Sequence, residues 1–423
     1  MGAAYLTNAQ AHGGAKPPER VSAARLLVRI HVPANLYGGK AHRGRVQRVS
    51  GGYYDGRRFR RGTVGWEDGV IVETTSGLAR EPLAKGLIIP PLWNAHTHLG
   101  DAVVTRELSG SIEELVAPPR GLKHRVLARA RDQDVIRAMR RALVTALNAG
   151  TGGVIDFREG GIKGLKLVYR ALLGLPTRAA VLGRPSGLTF NRREVSALLR
   201  ACDGIGVSSY IDWPAGELRK LAAHAAQAGK SFATHCSERV REDIDAVLEL
   251  KPTFLVHMIH ATDSDLERCA EARVPVVICP RSNAFFGMTP DVPRLLRAGI
   301  EVWLGTDNAM ISTPSLLREM EFAYRIARLR GGVPAMEILE MALRGRRFVD
   351  PKATTGIRVG NPADLVVFAL PDGEHGFASL LRAVEADIAL VVSGGIARRP
   401  PLPSEEPTGT KRLRPRRAQR TSR

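Results

Sequence analysis

Residues 86–101 read GLIIPPLWNAHTHLGD and connect an apolar run to two histidines, His96 and His98, that are two positions apart. Along a β-strand, side chains at positions i and i+2 point to the same face. Two imidazoles held side by side on one face form half of a metal site. A pair of polar loop histidines that caps a buried strand is the alternative, and the rest of the chain has to decide between the two.

The apolar run Leu87-Ile-Ile is the first of eight short apolar runs in the chain. The other seven predicted strands are at 153–157, 178–182, 205–209, 231–234, 253–256, 274–278 and 300–304. Helical patterns separate them, for example at 135–148, 216–228 and 314–329. Alternating strands and helices are typical of parallel βαβ units, and eight such units over about 250 residues suit a closed barrel. The sequence therefore predicts an α/β fold with a (β/α)8 TIM barrel over 89–356.

Short strand-like segments with turns fill residues 46–88, including a turn at Glu67-Asp-Gly. Similar segments return near the other end of the chain, in GNPADLVVF at 360–368 and ALVVSGG at 389–395. Two β segments that flank a central barrel indicate one shared unit. We expect a small β-sandwich domain built from both ends of the chain, 46–88 plus 357–400.

The formal net charge of the 423 residues is +20, which first suggests a nucleic-acid partner. Residues 1–61 carry 12 Lys/Arg against 2 Asp/Glu, and residues 398–423 carry 9 against 2, so the 336 residues between them have a net charge of +3. The excess belongs to the two ends, which we interpret as basic disordered extensions, 1–45 and 401–423. A transit peptide or translation from an upstream start stays open for residues 1–45. We therefore disfavour a nucleic-acid partner.

Neither a membrane span nor a disulfide framework is expected. No stretch of 18 or more uncharged apolar residues occurs in the sequence. The four cysteines are scattered without a Cys-x-x-Cys pair, which favours a reducing, cytoplasmic setting. We expect a small-molecule substrate and leave a homo-oligomer open.

Polar residues follow or end the predicted barrel strands, where the working groups of such barrels lie. They are His96 and His98 on the first strand, Asp156 and Arg158 on the second, His235 on the fifth, His257 on the sixth and Asp307 on the eighth, with Glu238 three positions after His235. Singly, each has a structural explanation, such as a buried hydrogen-bonded histidine or a helix cap. Together, histidines and an aspartate at one end of a barrel predict a metal site.

These residues stand in motifs that resemble the amidohydrolase superfamily, in its branch of cytosine, guanine and S-adenosylhomocysteine deaminases and related chlorohydrolases. The motifs are NAHTHLGD at 94–101, HCSE at 235–238, LVHMIH at 255–260, CPRSN at 279–283, LGTD at 304–307 and GNPADLVVF at 360–368. The resemblance covers the chain from about residue 46 to 397. It implies the same barrel and small β domain, and a hydrolase that acts on carbon–nitrogen bonds other than peptide bonds.

By this resemblance, His96, His98, His235 and Asp307 would bind one divalent metal ion, for which we favour zinc and keep iron(II) as the alternative. Two further residues, Glu238 and His257, would form the catalytic acid/base pair, with His260 as the alternative to His257. Two-metal members of the superfamily carry a lysine at the end of the fourth strand. The fourth strand here, IGVSSYID at 205–212, has none, which favours a mononuclear site.

The substrate is the least determined part of the sequence-based prediction. Arg158 and Glu159 are candidate substrate-binding residues, and Lys123 and His124 lie in a loop that could hold a carboxylate or phosphate. Asn283 and Asp364 are interpreted as structural. The leading hypothesis is an aminohydrolase (deaminase) of a purine, pyrimidine or nucleoside-like heterocycle. Hydrolysis of another C–N or C–Cl bond of a heterocycle is the alternative, and a nucleic-acid-binding protein with an inactive barrel is a remote one.

Overall fold

The structure is a computed structural model that describes residues 45–371 and 376–401. Apart from one residue each, the predicted basic extensions 1–45 and 401–423 lie outside the described residues. Within them the chain forms two separate sheets, one of nine and one of seven strands. No helix among these residues is long and apolar enough to cross a bilayer.

The nine-stranded sheet is parallel and forms the barrel. Its strands are β5 (Leu92–His98), β6 (Thr151–Arg158), β7 (Arg178–Gly183), β8 (Gly204–Val207), β9 (Ser231–Cys236), β10 (Phe254–His257), β11 (Val276–Ile278), β12 (Val302–Leu304) and β13 (Asp307–Asn308). Each strand from β5 to β12 pairs with the next. Only two residues separate β12 from β13, and β13 pairs with β5, so these two short strands act as one eighth strand that closes the sheet on itself. The predicted α/β barrel is confirmed.

Of the thirteen helices in the described residues, the first ten lie between consecutive barrel strands and the last three follow the closing strand. They are α1 (Ile112–Leu115), α2 (Leu122–Arg129), α3 (Asp132–Asn148), α4 (Gly161–Leu172), α5 (Arg192–Ala201), α6 (Ala215–Gln227), α7 (Ile244–Glu249), α8 (Asp263–Glu271), α9 (Pro280–Phe285), α10 (Val292–Arg297), α11 (Leu316–Arg328), α12 (Ala335–Arg344) and α13 (Gly376–Leu380). The helices predicted at 135–148, 216–228 and 314–329 correspond to α3, α6 and α11. Each has one apolar face, which packs against the strands.

The prediction for the first barrel strand was wrong. Leu87-Ile-Ile lies in β4 (Lys85–Ile89), which belongs to the seven-stranded sheet. The first barrel strand is β5, and His96 and His98 lie inside it rather than after it. Pro90 and Pro91 cause the separation, because a proline cannot donate a ladder hydrogen bond and therefore ends β4 before β5 begins.

The seven-stranded sheet contains strands from both ends of the described chain. Besides β4 it has β1 (Gln47–Tyr54), β2 (Phe59–Glu67), β3 (Val70–Thr75), β14 (Leu365–Phe368), β15 (Ile388–Ser393) and β16 (Ile396–Arg398). The two groups join where β4 pairs with β14. The expected sandwich is formed by one continuous sheet that bends over a shared apolar core. An isolated bridge between Val70 in β3 and Pro362 brings the β3 edge back to the segment before β14. The predicted shared β unit is confirmed, and its boundaries remain a prediction.

Side chains fill the barrel interior. Phe157, Phe254, Trp303 and Phe348 are at most 4% exposed and contact one another through their rings. Burial of each large aromatic side chain contributes roughly 1.5–3 kcal/mol. A cavity lies at the end of the barrel where the strands have their carboxyl termini.

Candidate metal centre and active site

His96 and His98 project together from β5, as their spacing predicts. Their side chains are at most 2% exposed, and their ring centroids are 4.8 Å apart. Phe157 packs edge-on against the ring of His96. The alternative, a pair of polar loop histidines that caps a buried strand, is therefore wrong, because both histidines lie within β5.

His235 meets this pair from β9, on the opposite side of the mouth. Its Nδ1 atom donates a hydrogen bond of 2.8 Å to the carbonyl of Val207. This contact leaves the lone pair of Nε2 directed at the other histidines. Nε2 lies 3.3 Å from Nε2 of His98.

Asp307 begins β13 and completes the cluster. Its Oδ2 accepts a hydrogen bond of 2.6 Å from Ser282 Oγ. Its other oxygen, Oδ1, lies 3.2 Å from Nε2 of His96 and 3.5 Å from Nε2 of His98. One carboxylate oxygen is thus held by protein, and the other faces the histidines.

The spacing of these atoms fits a metal ion. Ligands at 2.0–2.1 Å from a tetrahedral zinc ion are separated by about 3.3–3.4 Å, and the three distances from His98 and Asp307 to their neighbours are 3.2–3.5 Å. Both ring nitrogens of His96 and Oδ1 of Asp307 are buried without a hydrogen-bond partner. Buried polar atoms without a partner are costly, and an ion would satisfy them.

His257 also lies in this cluster. Its ligand atom lies within 4.8 Å of those of His96, His235 and Asp307, and the four atoms are mutually within that distance. The structure thus brings together all four predicted metal ligands and His257. Which four hold the ion stays a prediction.

The histidines are held in their neutral, metal-binding form. Burial lowers the pKa of His96, and burial together with the charge of Lys123 lowers the pKa of His98 to about 3. Burial and the neighbouring histidines hold the pKa of His235 well below its ordinary value. Burial alone would raise the pKa of Asp307, but its close approach to the surrounding histidines outweighs burial and holds the pKa well below its ordinary value. A site of neutral imidazoles and one carboxylate is ready to bind a cation at neutral pH.

Glu238 and His257 face each other beside the cluster. Oε1 of Glu238 lies 3.3 Å from Nε2 of His257, whose Nδ1 lies 3.1 Å from Nδ2 of Asn283. Burial raises the pKa of Glu238 above its ordinary value, which makes its carboxylate a stronger proton acceptor. The alternative His260 is exposed, and its backbone N–H donates a hydrogen bond to the carbonyl of Ser237, so the geometry favours His257.

The backbone is strained at several of these positions. His257 has a φ of 81° and Asp307 a φ of 59°, both in the left-handed region that non-glycine residues rarely adopt. Ser237 and Met258, with φ of 48° and 57°, adjoin the same site. Such conformations cost about 1–3 kcal/mol each and cluster at functional sites.

The two predicted substrate-binding residues lie behind the metal cluster. Oε1 of Glu159 lies 2.8 Å from Nδ1 of His98. Arg158 is 2% exposed and pairs with Glu159 and with Asp156, at 3.5 Å from the latter. Both line a larger neighbouring cavity rather than the cavity at the metal ligands. Their contact with substrate stays a prediction.

Sequence reasoning missed two contacts of α9. Ser282 holds Asp307, and Asn283, which was interpreted as structural, holds the ring of His257. Their motif, CPRSN, was part of the resemblance, but a motif alone does not show which side chain its polar residues contact. Asp364, by contrast, lies in the seven-stranded sheet region, where it pairs with Arg178 at 2.8 Å.

The chain is similar to several known proteins. The model of the Amidohydrolase family matches residues 87–396. A putative aminohydrolase of Methanothermobacter thermautotrophicus is 32% identical over 79% of this chain and 93% of that relative. A 5-methylthioadenosine/S-adenosylhomocysteine deaminase of Halobacterium salinarum is 27% identical over 70% of this chain and 76% of that relative.

A solved structure supports the fold. An adenosine deaminase from Xanthomonas campestris with bound zinc superimposes with a TM-score of 0.69 and 19% identity, over 83% of this chain and 92% of that one. These findings confirm the predicted superfamily and the predicted class of enzyme, a hydrolase of carbon–nitrogen bonds. Because the family model spans most of the chain and includes every residue of the metal cluster, the chain belongs to the amidohydrolase family.

Proposed function

We propose that the protein is a metal-dependent aminohydrolase that releases ammonia from an amino-substituted purine, pyrimidine or nucleoside-like heterocycle. One observation carries the proposal: ligand-type side chains from β5, β9 and β13 converge to metal-like spacing directly beside a buried carboxyl–imidazole pair. The names of the deaminase relatives support the same reaction.

In this proposal His96, His98, His235 and Asp307 hold one divalent ion. When bound, the ion would lower the pKa of a coordinated water to about 7 and so would supply hydroxide at neutral pH. Neutral nitrogen ligands and one carboxylate suit zinc, and iron(II) is the alternative. The zinc in the superimposed adenosine deaminase supports the first choice.

Glu238 is the proton carrier. Its carboxylate takes one proton from the attacking water and delivers it to the ring nitrogen beside the reacting carbon. It then transfers the proton of the newly added hydroxyl group to the amino group, which departs as ammonia as the C–N bond breaks. His257 holds the carboxyl group of Glu238 and orients the nucleophile, and Asn283 fixes the imidazole ring.

We also propose a cytoplasmic location. All four cysteines are buried free thiols, which are stable in a reducing compartment. The expectation that the protein has no nucleic-acid partner remains a prediction from sequence. Assembly into a homo-oligomer remains an open question at that level.

The test is ammonia release from purines, pyrimidines and 5′-modified adenosines by protein loaded separately with zinc and iron(II), with bound metal quantified. We expect about one metal ion per chain and ammonia from one compound class, and loss of both in His96→Ala. Bound metal without ammonia from any compound would exclude deamination and favour hydrolysis of another C–N or C–Cl bond. Absence of metal binding would contradict the assignment of the cluster.

A further inference from the structure

One proposed metal ligand, His98, has a carboxylate behind its ring. Its Nε2 faces the cluster, at 3.3 Å from Nε2 of His235 and 3.5 Å from Oδ1 of Asp307. Its other ring nitrogen, Nδ1, lies 2.8 Å from Oε1 of Glu159. A neutral imidazole carries one N–H, and a carboxylate can only accept a hydrogen bond. The hydrogen of His98 therefore belongs on Nδ1, which leaves the lone pair of Nε2 free for a metal ion.

The carboxylate of Glu159 is held in place from two sides. Glu159 directly follows β6 and is 7% exposed. The Nζ atom of Lys123 lies 3.0 Å from its Oε1, and the guanidinium of Arg158 donates a hydrogen bond to its Oε2. Because both oxygens are engaged, the carboxylate presents a fixed acceptor to the imidazole ring of His98.

Helix α2 contributes the lysine that holds Glu159. Lys123 is the fully buried residue of this helix, with 2% exposure, and a buried ammonium group needs partners that compensate its charge. Besides Glu159, its Nζ contacts Oδ1 of Asn308 at 3.2 Å, and Asn308 directly follows Asp307 in β13. Lys123 thus connects the carboxylate behind His98 to the strand that carries Asp307.

Compensation of buried cations is the structural explanation for Glu159. It accounts for the contact with Arg158, which also lies 3.5 Å from a second carboxylate, Asp156. Asp156 is directed at the backbone, where it accepts a hydrogen bond of 2.7 Å from the N–H of Leu99. Charge compensation alone does not require a carboxylate to contact an imidazole. The approach of Glu159 to Nδ1 of His98 therefore indicates a role beyond compensation.

We propose that Glu159 is a positioning residue, which fixes the orientation and tautomer of His98 and makes its Nε2 a stronger metal ligand. The inference rests on the metal site of the proposed function. It gives Glu159 a role that acts through His98, in place of the substrate contact predicted from the sequence. Carboxylates behind metal-binding histidines act in this way, and their loss typically lowers metal affinity by about 10–100-fold.

The test measures the affinity of the full-length protein for zinc, in competition with a chromophoric chelator, without any substrate. Glu159→Ala removes the acceptor and should weaken zinc binding by about 10–100-fold. Glu159→Gln keeps the size and one acceptor oxygen but loses the charge, so its affinity should lie between those of Glu159→Ala and the wild type. Protein loaded with cobalt(II) provides a second readout, because its visible absorption bands depend on the ligand geometry. These bands should shift in both variants.

Glu340→Gln is the matched control, because it removes the charge of another buried glutamate. Glu340 is 7% exposed on α12, where it accepts a hydrogen bond from the hydroxyl group of Tyr54 in the seven-stranded sheet. This variant should keep the zinc affinity and the cobalt spectrum of the wild type, whatever its stability. Circular dichroism and denaturant titration of the metal-free proteins identify a variant that fails to fold. If Glu159→Ala does so, Glu159→Gln carries the test.

His98→Ala separates this inference from the proposed function. Zinc affinity that is unchanged in His98→Ala would overturn the proposed metal site and, with it, the role of Glu159. Weakened binding in His98→Ala, with wild-type affinity and an unshifted cobalt spectrum in the Glu159 variants, would overturn the inference and leave the proposed site intact. That result combined with lower stability of the metal-free variants would assign Glu159 to charge compensation alone. Weakened zinc binding and shifted bands in the Glu159 variants, but not in Glu340→Gln, would support the inference.

Discussion

Replacement of Glu238 should remove turnover but not metal binding, unlike replacement of a proposed metal ligand. Glu238→Gln keeps the size of the side chain and its place beside His257, but an amide cannot carry the proton. We expect normal metal content with turnover lowered by about 10²–10⁴-fold, the usual contribution of a positioned acid/base group. Ammonia release and metal analysis of the same preparation measure both quantities.

The matched control is Glu249→Gln. The side chain of Glu249 is 66% exposed on α7, whereas Glu238 and His257 are buried. It should match the wild type in turnover and in metal content. Near-normal turnover of Glu238→Gln would remove Glu238 from the mechanism.

Glu319 gives a second prediction for a single side chain, in this case for stability. It is fully buried on α11, where its Oε1 accepts a hydrogen bond of 2.8 Å from the backbone N–H of Arg281. Burial raises its pKa from 4.5 to about 7. The folded state therefore binds this proton more tightly than the unfolded state does, and the resulting stability is full below pH 4.5 and is lost as pH rises through 7.

Glu319→Gln should remove this pH dependence. The free energy of unfolding of the variant minus that of the wild type should increase by about 2 kcal/mol from pH 5 to pH 8. Denaturant titrations at the two pH values measure it. Glu267→Gln, at an exposed position of α8, should follow the wild type, and parallel curves for Glu319→Gln and the wild type would refute the raised pKa.

At this scale the sequence predicted residue types better than contacts. His96, His98, His235 and Asp307 were identifiable because their positions at strand ends follow from local patterns. The contacts of Ser282, Asn283 and Lys123 depend on how α2 and α9 pack over the barrel mouth. No local pattern encodes that packing.

Among the elements, the closing strand packs closely against β5, which carries His96 and His98. At Gly305, between β12 and β13, an added Cβ would lie 2.9 Å from Cβ and backbone N of His96. Gly305→Ala should therefore displace β5, lower stability by about 1–3 kcal/mol and weaken metal binding. Denaturant titration and metal titration measure the two effects.

Gly216→Ala is the matched control for this substitution. Gly216 lies in α6, and no atom lies within 4 Å of the position of its added Cβ. Alanine there should be neutral or stabilise the protein by about 0.4–1 kcal/mol. Unchanged metal affinity in Gly305→Ala would contradict the close packing of His96 against the closing strand.

The elements also show where sequence patterns mislead. Residues 86–95 look like one apolar segment, but β4 and β5 belong to different sheets. Hydrophobicity reports that a strand is buried and not which sheet buries it. The helices α3, α6 and α11 were predicted to within a few residues, because a 3.6-residue period repeated over several turns is a strong local signal.

For the whole molecule, every predicted ligand and acid/base residue lies between residues 96 and 307. A chain without residues 1–45 and 402–423 should therefore keep its metal and its turnover, although it loses most of the net positive charge. Ammonia release tests this, and binding to DNA at increasing salt tests the remote alternative. Loss of turnover together with loss of salt-dependent DNA affinity would favour a nucleic-acid-binding protein.

The pairing of β5 with β13 joins Thr97 to Asp307 across 210 residues of chain. Contacts this distant in sequence raise the contact order and slow folding, because a long loop must close before the contact forms. During synthesis from the amino terminus, His96 and His98 leave the ribosome long before Asp307 exists. A nascent or truncated chain that ends before Asp307 lacks both the closed barrel and one of the four proposed metal ligands, so we expect binding of the ion to coincide with closure of the barrel.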